Sequence, residues 1–296
     1  MSSESKSCRV KVPASTSNLG SGFDTLGLAV KLYAAVELER SEDLGIRLAD
    51  PAAAHPHLAK LISEAGEQFF RSTKAKPFGS RVHVSGNVPI ARGLGYSATV
   101  RVGILAGLSE LGGVRLSREK LLNLATELEG HPDNTSPSLF GGFTVSGTVN
   151  GEIRCLHFPV PEQLKLVTLI PNFPIGTEHA RKLMPTSYSK ADAAHGLNRA
   201  ALITAAFSSG NLTALKGLLD DRIHQPYRQA LIPALPSIIA AGEAAGALGG
   251  FLSGSGSAII CLALEEPQKI GKAMQRVLPD SEVIILTVDN TGYAVS

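Results

Sequence analysis

Four short segments of the 296-residue chain set chemistry-bearing side chains among glycines. The first is Pro89-Ile-Ala-Arg-Gly-Leu-Gly-Tyr-Ser-Ala-Thr99. It lies between an alternating apolar/polar stretch and an apolar helical run. Glycines at 93 and 95 let the backbone close around an anion. The first turn of the helix then offers unpaired N–H groups and the positive end of its dipole. Gly93-x-Gly95-x-x-Ala98 also fits a loose dinucleotide fingerprint. That fingerprint needs a second strand ending in an acid some twenty residues on, and residues 111–129 lead into another helix instead. No Walker A lysine motif occurs, which excludes a P-loop NTPase. A tight strand-to-helix turn is the plain alternative.

The second segment, Val12-Pro-Ala-Ser-Thr-Ser-Asn-Leu-Gly-Ser-Gly-Phe-Asp24, places an amide (Asn18) and a carboxylate (Asp24) among hydroxyls. It can hold an amine-bearing substrate with Asp24 as counter-ion, or be an ordinary Asn/Gly turn. The third, Glu127-Leu-Glu-Gly-His-Pro-Asp-Asn134, puts carboxylates on a helix end and His131, Asp133 and Asn134 on the turn beyond it. Lone carboxylates suit Mg²⁺ in company with phosphate, because that ion keeps its waters and needs few protein oxygens. Helix capping by Gly130 followed by a Pro-Asp turn gives the same letters. The fourth, residues 246–257, is a second anion loop or simply a hairpin turn. Thr177 with Arg181, and His224 with Arg228, form a weaker set. Arginine is the residue for a two-pronged clamp on a carboxylate, though each is more often a surface charge.

The elements that must position these segments are legible in outline. Residues 8–12, 33–39, 81–88, 140–147, 165–170, 258–264 and 283–288 read as strands. Residues 15–22 read as a loop. Helical periodicity covers 57–70, 97–111, 118–129 (capped by Ser117), most of 190–219, 235–247 and 268–277. The pattern starts afresh beyond residue 155. This predicts an α+β protein of two lobes, 1–160 and 161–296.

Composition narrows the class. The chain is 44% hydrophobic, 18% charged and 5% aromatic, with no Trp. It is too apolar to be disordered and long enough for a substantial core. Its net charge of +2 gives no hint of a nucleic-acid or membrane partner. Three distant cysteines fit free thiols in a reducing compartment. No secretory signal opens the chain, and the uncharged stretch 244–264 is too polar in its middle to span a membrane. A soluble cytoplasmic protein is expected. The 30 glycines are not spread evenly: windows 13–28, 89–99, 127–142 and 246–257, 55 residues in all, hold 13 of them. That is more than double an even share, so the excess sits where chemistry is expected.

In combination and order these segments resemble the homoserine kinase family of the GHMP small-molecule kinases. The segments at 13–24 and 129–134 resemble homoserine kinases themselves, and those at 93–98 and 246–256 the wider superfamily. The resemblance covers about residues 9–290. It implies ATP-dependent phosphorylation of the L-homoserine hydroxyl, a step in threonine synthesis. It also implies a two-lobed fold, with an N-terminal lobe like ribosomal protein S5 domain 2 and a ferredoxin-like C-terminal lobe.

Carried over by position, Pro89, Ile90, Ala91, Arg92, Gly93, Leu94, Gly95, Tyr96, Ser97, Ala98 and Thr99 would cradle ATP. Ser97 and Glu127 would ligate Mg²⁺, with Glu129 as the fallback carboxylate. Asn18, Asp24, His131, Asn134, Arg181 and Arg228 would bind homoserine. Thr177 would lie near the transferred phosphoryl group. Asp133 stands where related kinases carry a catalytic aspartate. L-Homoserine and ATP are the expected partners, with a homodimer left open. The chain departs from the family at Tyr96, where the family has Ser, and at Gly176-Thr-Glu-His-Ala-Arg181, where it usually has Ser-Thr-Lys-Glu-Ala-Arg. The rival readings are a GHMP kinase for another small alcohol and a non-catalytic binding protein on the same fold.

Overall fold

The structure is a computed structural model and describes residues 6–50 and 56–296. Strand β1 (Ser7–Asn18) and strand β2 (Gly22–Ser41) form a long antiparallel hairpin, with register shifts at Pro13/Ala14 and Ser17/Asn18. The expected loop at 15–22 therefore shrinks to three residues. Ser15, Thr16 and Ser17 pair with Ala29, Leu28 and Gly27 and are buried. Ser, Thr and Asn favour turns in isolation, but cross-strand pairing overrides that preference.

Strand β3 (Gly45–Leu48), helix α1 (Pro56–Thr73) and strand β4 (Gly79–Gly86) follow, with β3 parallel to β4 and β4 antiparallel to β2. Helix α2 (Tyr96–Leu111) is apolar nearly all round. Eleven of its residues are buried, as befits a helix wedged between the sheet and other helices. Ser117 accepts from the Lys120 amide and starts helix α3 (Arg118–Glu129), which Gly130 ends in a left-handed conformation. A short helix α4 (Thr135–Phe140), not expected from the sequence, follows the Pro-Asp turn. Strands β5 (Phe143–Val149) and β6 (Glu152–Phe158) complete this part, with β5 bonded to β2.

The second sheet uses β7 (Lys165–Pro171), β8 (Gly249–Leu252), β9 (Ile259–Ala263) and β10 (Ser281–Thr287), in the antiparallel order β10-β7-β9-β8. Helices α5 (Thr177–Lys182), α6 (Lys190–Ser208), α7 (Gln225–Arg228) and α8 (Leu235–Ala244) lie between β7 and β8. Helix α9 (Pro267–Val277) lies between β9 and β10. This strand–helix–strand–strand–helix–strand order is the ferredoxin-like pattern. A two-residue strand, β11 (Ala294–Val295), returns to pair with β1.

The two sheets share one apolar core. Leu26, Leu28 and Phe143 from the first pack with Leu166, Ile260 and Leu286 from the second, and with Phe207 of α6. Phe143 and Phe207 stack at 4.2 Å between ring centroids, both almost wholly buried. Val30 also bridges to Val288 across the junction. Removing so large a shared ring leaves a void that neighbours cannot refill. Phe143→Ala is expected to cost about 3–5 kcal/mol and to lower the urea midpoint of both sheets together. Far-UV circular dichroism checks this, and a second, unshifted transition would contradict a common core.

Candidate active site

A cavity of about 960 Å³ opens where the two sheets meet. Its walls come from the end of β1 (Asn18), the start of β2 (Phe23, Asp24) and the loop before α2 (Ile90, Ala91, Arg92, Gly93, Gly95). The start of α2 (Tyr96, Ser97) and the turn after α3 (His131, Asp133, Asn134) add to them. From the other lobe come Thr177 and Arg181 of α5, Arg228 of α7 and the turn at Gly254. Four of the eleven expected ATP-binding positions do not line it. Leu94, Ala98 and Thr99 point into the core, and Thr99 spends its hydroxyl on the Tyr96 carbonyl at 2.7 Å. Pro89 sits at the loop's outer end, outside the lining.

Glycine is needed at 93 and 95 for two reasons. Both have positive φ, +75° and +70°, which L side chains rarely adopt. A Cβ at Gly93 would also strike the Ser253 carbonyl oxygen, and one at Gly95 the Ser15 hydroxyl. The two glycine-rich loops thus pack against each other. Ser253 donates to the Gly93 carbonyl at 2.6 Å and shares a 2.7 Å hydrogen bond with Thr16. The segment at 246–257 accordingly carries β8 and the turn toward β9, and that turn braces the loop before α2. No side chain caps α2, since Gly95 is its N-cap. Its first amides face the cavity end, where an anion would find the positive dipole end.

The carboxylate placement needs correction. Glu127 points away from the cavity and its side chain is 62% exposed, bonded to Gln68 and ion-paired with Arg71 at 3.8 Å. Glu129, two residues on, lines the cavity and accepts from Ser97 and from Arg101. Two residues turn a helix by about 200°, so only one of the two acids can face the site. Arg101 was not foreseen. It reads as one more residue of an apolar helix, yet it bonds Glu129 and also Glu64 at 3.1 Å. Tyr96 lies half-buried against both cores while lining the cavity, and burial raises its phenol pKa.

On the other side, Arg181 grips Asp24 with two hydrogen bonds, of 2.6 and 3.1 Å. Asn18 is buried. Its amide donates to the Gly254 carbonyl at 3.1 Å, and its oxygen accepts from the Asp24 amide at 3.1 Å. It therefore fixes the loop that presents Asp24. Arg228 is 2% exposed. It donates to the Gly254 carbonyl at 2.9 Å and to His224 Nδ1 at 3.3 Å, both neutral groups, and its Nε is buried without a partner. Burial, with Arg181 nearby, brings its pKa down to about 10. The proton of neutral His224 is then on Nε2, which faces the Gly20 carbonyl at 3.0 Å.

His131 and Asp133 form a buried pair, Nδ1 to Oδ1, at 2.7 Å. Burial alone would neutralise both groups. The hydrogen bond and the opposite charges prevail, holding the imidazole pKa above 6.5 and the carboxyl below 3.8. Asn134 donates to Ser17 at 3.0 Å and accepts from Ser15 at 3.0 Å, tying this turn to β1. Thr177 and Ser255 lie 3.3 Å apart at the lip of the cavity.

Comparison with known proteins agrees with this arrangement. Residues 58–142 match the GHMP kinases N terminal domain, and residues 203–280 the GHMP kinases C terminal domain. The chain is 37% identical to the homoserine kinase of Caldicellulosiruptor bescii, over 97% of this chain and 96% of that one. The chain belongs to the homoserine kinase family of GHMP kinases. Another family member, from Aliarcobacter butzleri, is 36% identical over 97% of this chain and 99% of its own. The crystal structure of a homoserine kinase from Cytophaga hutchinsonii superposes with a TM-score of 0.89 at 27% identity. It covers 100% of this chain and 99% of that one. The GHMP kinase fold accounts for both sheets and for the cavity between them.

The His131–Asp133 pair sets a pH window. His131, with its pKa raised, contributes fully below 6.5 and loses its contribution as pH climbs through the folded value. Asp133, with its pKa lowered, contributes fully above 3.8 and loses its share as pH falls through the folded value. Both act together between those limits. Asp133→Asn should therefore cost most near pH 5, about 1–3 kcal/mol, and should drop the His131 pKa below 6.5. A histidine NMR titration with parallel melting curves reads both; an unmoved His131 would dissolve the pair.

Proposed function

We propose that this chain transfers the γ-phosphoryl group of ATP to the side-chain hydroxyl of L-homoserine, yielding O-phospho-L-homoserine for threonine synthesis. The carrying observation is Arg228, a guanidinium 2% exposed whose hydrogen bonds all go to neutral groups and whose Nε has none. A buried cation in that state calls for an anion. Asp24, across the same cavity, supplies the opposite charge. A cation for a carboxylate and a carboxylate for an ammonium together fit an α-amino acid, with Arg181 placed to serve either its acid or Asp24. A sugar or mevalonate offers no ammonium for Asp24.

The loop through Gly93 and Gly95 and the uncapped start of α2 would take the phosphates on backbone N–H groups. Ser97 and Glu129 offer two adjacent oxygen donors beside that helix end, a hard donor set that fits Mg²⁺. When bound, the ion would supply positive charge to the phosphates during transfer. Arg101 holds the second oxygen of Glu129 and so fixes the carboxylate's direction. The hydroxyl oxygen of the substrate forms the new P–O bond, ADP leaves, and the hydroxyl proton is released. Asp133 is kept ionised by His131 and can accept a hydrogen bond from that hydroxyl, but its low pKa makes it a weak base. Positioning and charge carry the rate in this reading. Thr177 and Ser255 would border the transferred group.

Among the described residues no helix is long and apolar enough to cross a membrane. We expect work in the cytoplasm, as a monomer or a homodimer that sedimentation would distinguish. Tyr96 in the phosphate loop favours one alternative, a binding protein without turnover. ADP release with and without homoserine separates the two, and an inactive wild type restored by Tyr96→Ser would establish that alternative.

Arg228→Met should raise the homoserine KM about 30- to 100-fold, the worth of a charge-assisted pair, and leave the ATP KM unchanged. Glu129→Gln should lower kcat at least about 100-fold, while Glu127→Gln stays within about twofold of wild type. A coupled ADP assay measures all three. Equal losses at 127 and 129 would refute the placement of the carboxylate.

A further inference from the structure

Phe23 stands at the meeting point of both arginines. The Cζ of Arg181 lies 5.4 Å from the ring centroid and that of Arg228 5.3 Å, each over the ring. Both distances fall within the reach of a cation–π contact. The imidazole of His224 stacks on the same ring at 5.5 Å, with planes 28° apart, and that imidazole takes a hydrogen bond from Arg228. Phe23 lines the cavity and precedes Asp24, the acid that Arg181 grips.

Two guanidiniums that share one ring repel each other, and only Arg181 has an acid to hold it in place. Arg228 has only neutral acceptors, the Gly254 carbonyl and His224 Nδ1, to set against that repulsion. The negative face of an aromatic ring supplies a further hold at no cost in counter-charge, and an added acid would compete with the substrate. We propose that Phe23 is a positioning residue whose aromatic ring holds Arg181 and Arg228 in place before the substrate carboxylate arrives. The proposal rests on the reading of this cavity as an amino-acid site.

A residue that merely fills space needs volume; this role needs electron density on the ring face. The test is 3,4,5-trifluorophenylalanine at position 23, which keeps the shape and drains the face. Calorimetry should show homoserine binding about five- to tenfold weaker. The homoserine KM should rise to match, with kcat within about twofold and the ATP KM unmoved. Phe23→Tyr, which keeps the face, should bind homoserine within about twofold of wild type. An unchanged homoserine affinity in the trifluoro protein overturns the proposal. NMR relaxation of the Arg181 and Arg228 Nε–H groups gives a reading free of substrate. Both side chains should become more mobile in the trifluoro protein, and unchanged mobility overturns the proposal as well. Failure of wild type to bind or phosphorylate homoserine would instead count against the proposed function, leaving the arginine mobility to decide the role of Phe23.

Discussion

Gly254 is the joint on which the site depends. Its carbonyl accepts from Asn18 and from Arg228, and its amide donates to the Ser17 carbonyl at 3.2 Å. One residue of the β8–β9 turn thus holds the end of β1, and with it Asp24, while orienting the buried arginine. Around it the contacts are made by small hydroxyl side chains: Thr16 with the Ser253 hydroxyl, Ser253 with the Gly93 carbonyl, and Ser15 with the Asn134 side chain. Such contacts require backbones to approach closely. That requirement, more than phosphate binding alone, accounts for the concentration of Gly and Ser around the cavity.

Most of the charge in the cavity is arranged in opposed pairs. Asp24 meets Arg181, Asp133 meets His131, and Glu129 meets Arg101. Arg228 is balanced by dipoles and a ring, and Arg92 bonds the Ile90 and Asn172 carbonyls. Buried pairs of this kind add little stability over apolar packing, because desolvation offsets the attraction. They do impose direction. A polar ligand entering here meets side chains whose orientations are already set, so less ordering remains to be done on binding. The near-neutral net charge is consistent with this. Local pairs and backbone N–H groups suffice, and no basic surface is required.

Much of this was legible in the residues. The helices at 118–129 and 97–111 carry their own start signals and periodicity, and their ends fall where Ser117, Gly130 and Gly95 place them. The residues at 18, 24, 131, 133, 134, 181 and 228, which the resemblance carries over and whose roles their types alone left open, line one cavity. Three things were not legible. The Ser-Thr-Ser run at 15–17 reads as loop but is strand, because its partners on β2 lie ten or more residues away. Glu127 and Glu129 carry the same chemistry, and a letter string does not give the helix's rotation. Arg101 and Phe23 owe their places to side chains far along the chain, Glu64 in one case and Arg181 and Arg228 in the other. Neither local pattern nor spacing announces such contacts.

The common core between the sheets bears on how ligands come and go. Many two-lobed enzymes close like a jaw around a hinge. Here a rotation of one sheet against the other would part Leu26 and Leu28 from Leu166, Ile260 and Leu286 and expose apolar surface on both sides, at about 25 cal/mol for each Å² uncovered. The jaw is in effect welded shut at its base. Whatever opening and closing the cavity undergoes must be local. The six-residue helix carrying Thr177 and Arg181 is the element whose displacement would change the mouth without disturbing that weld.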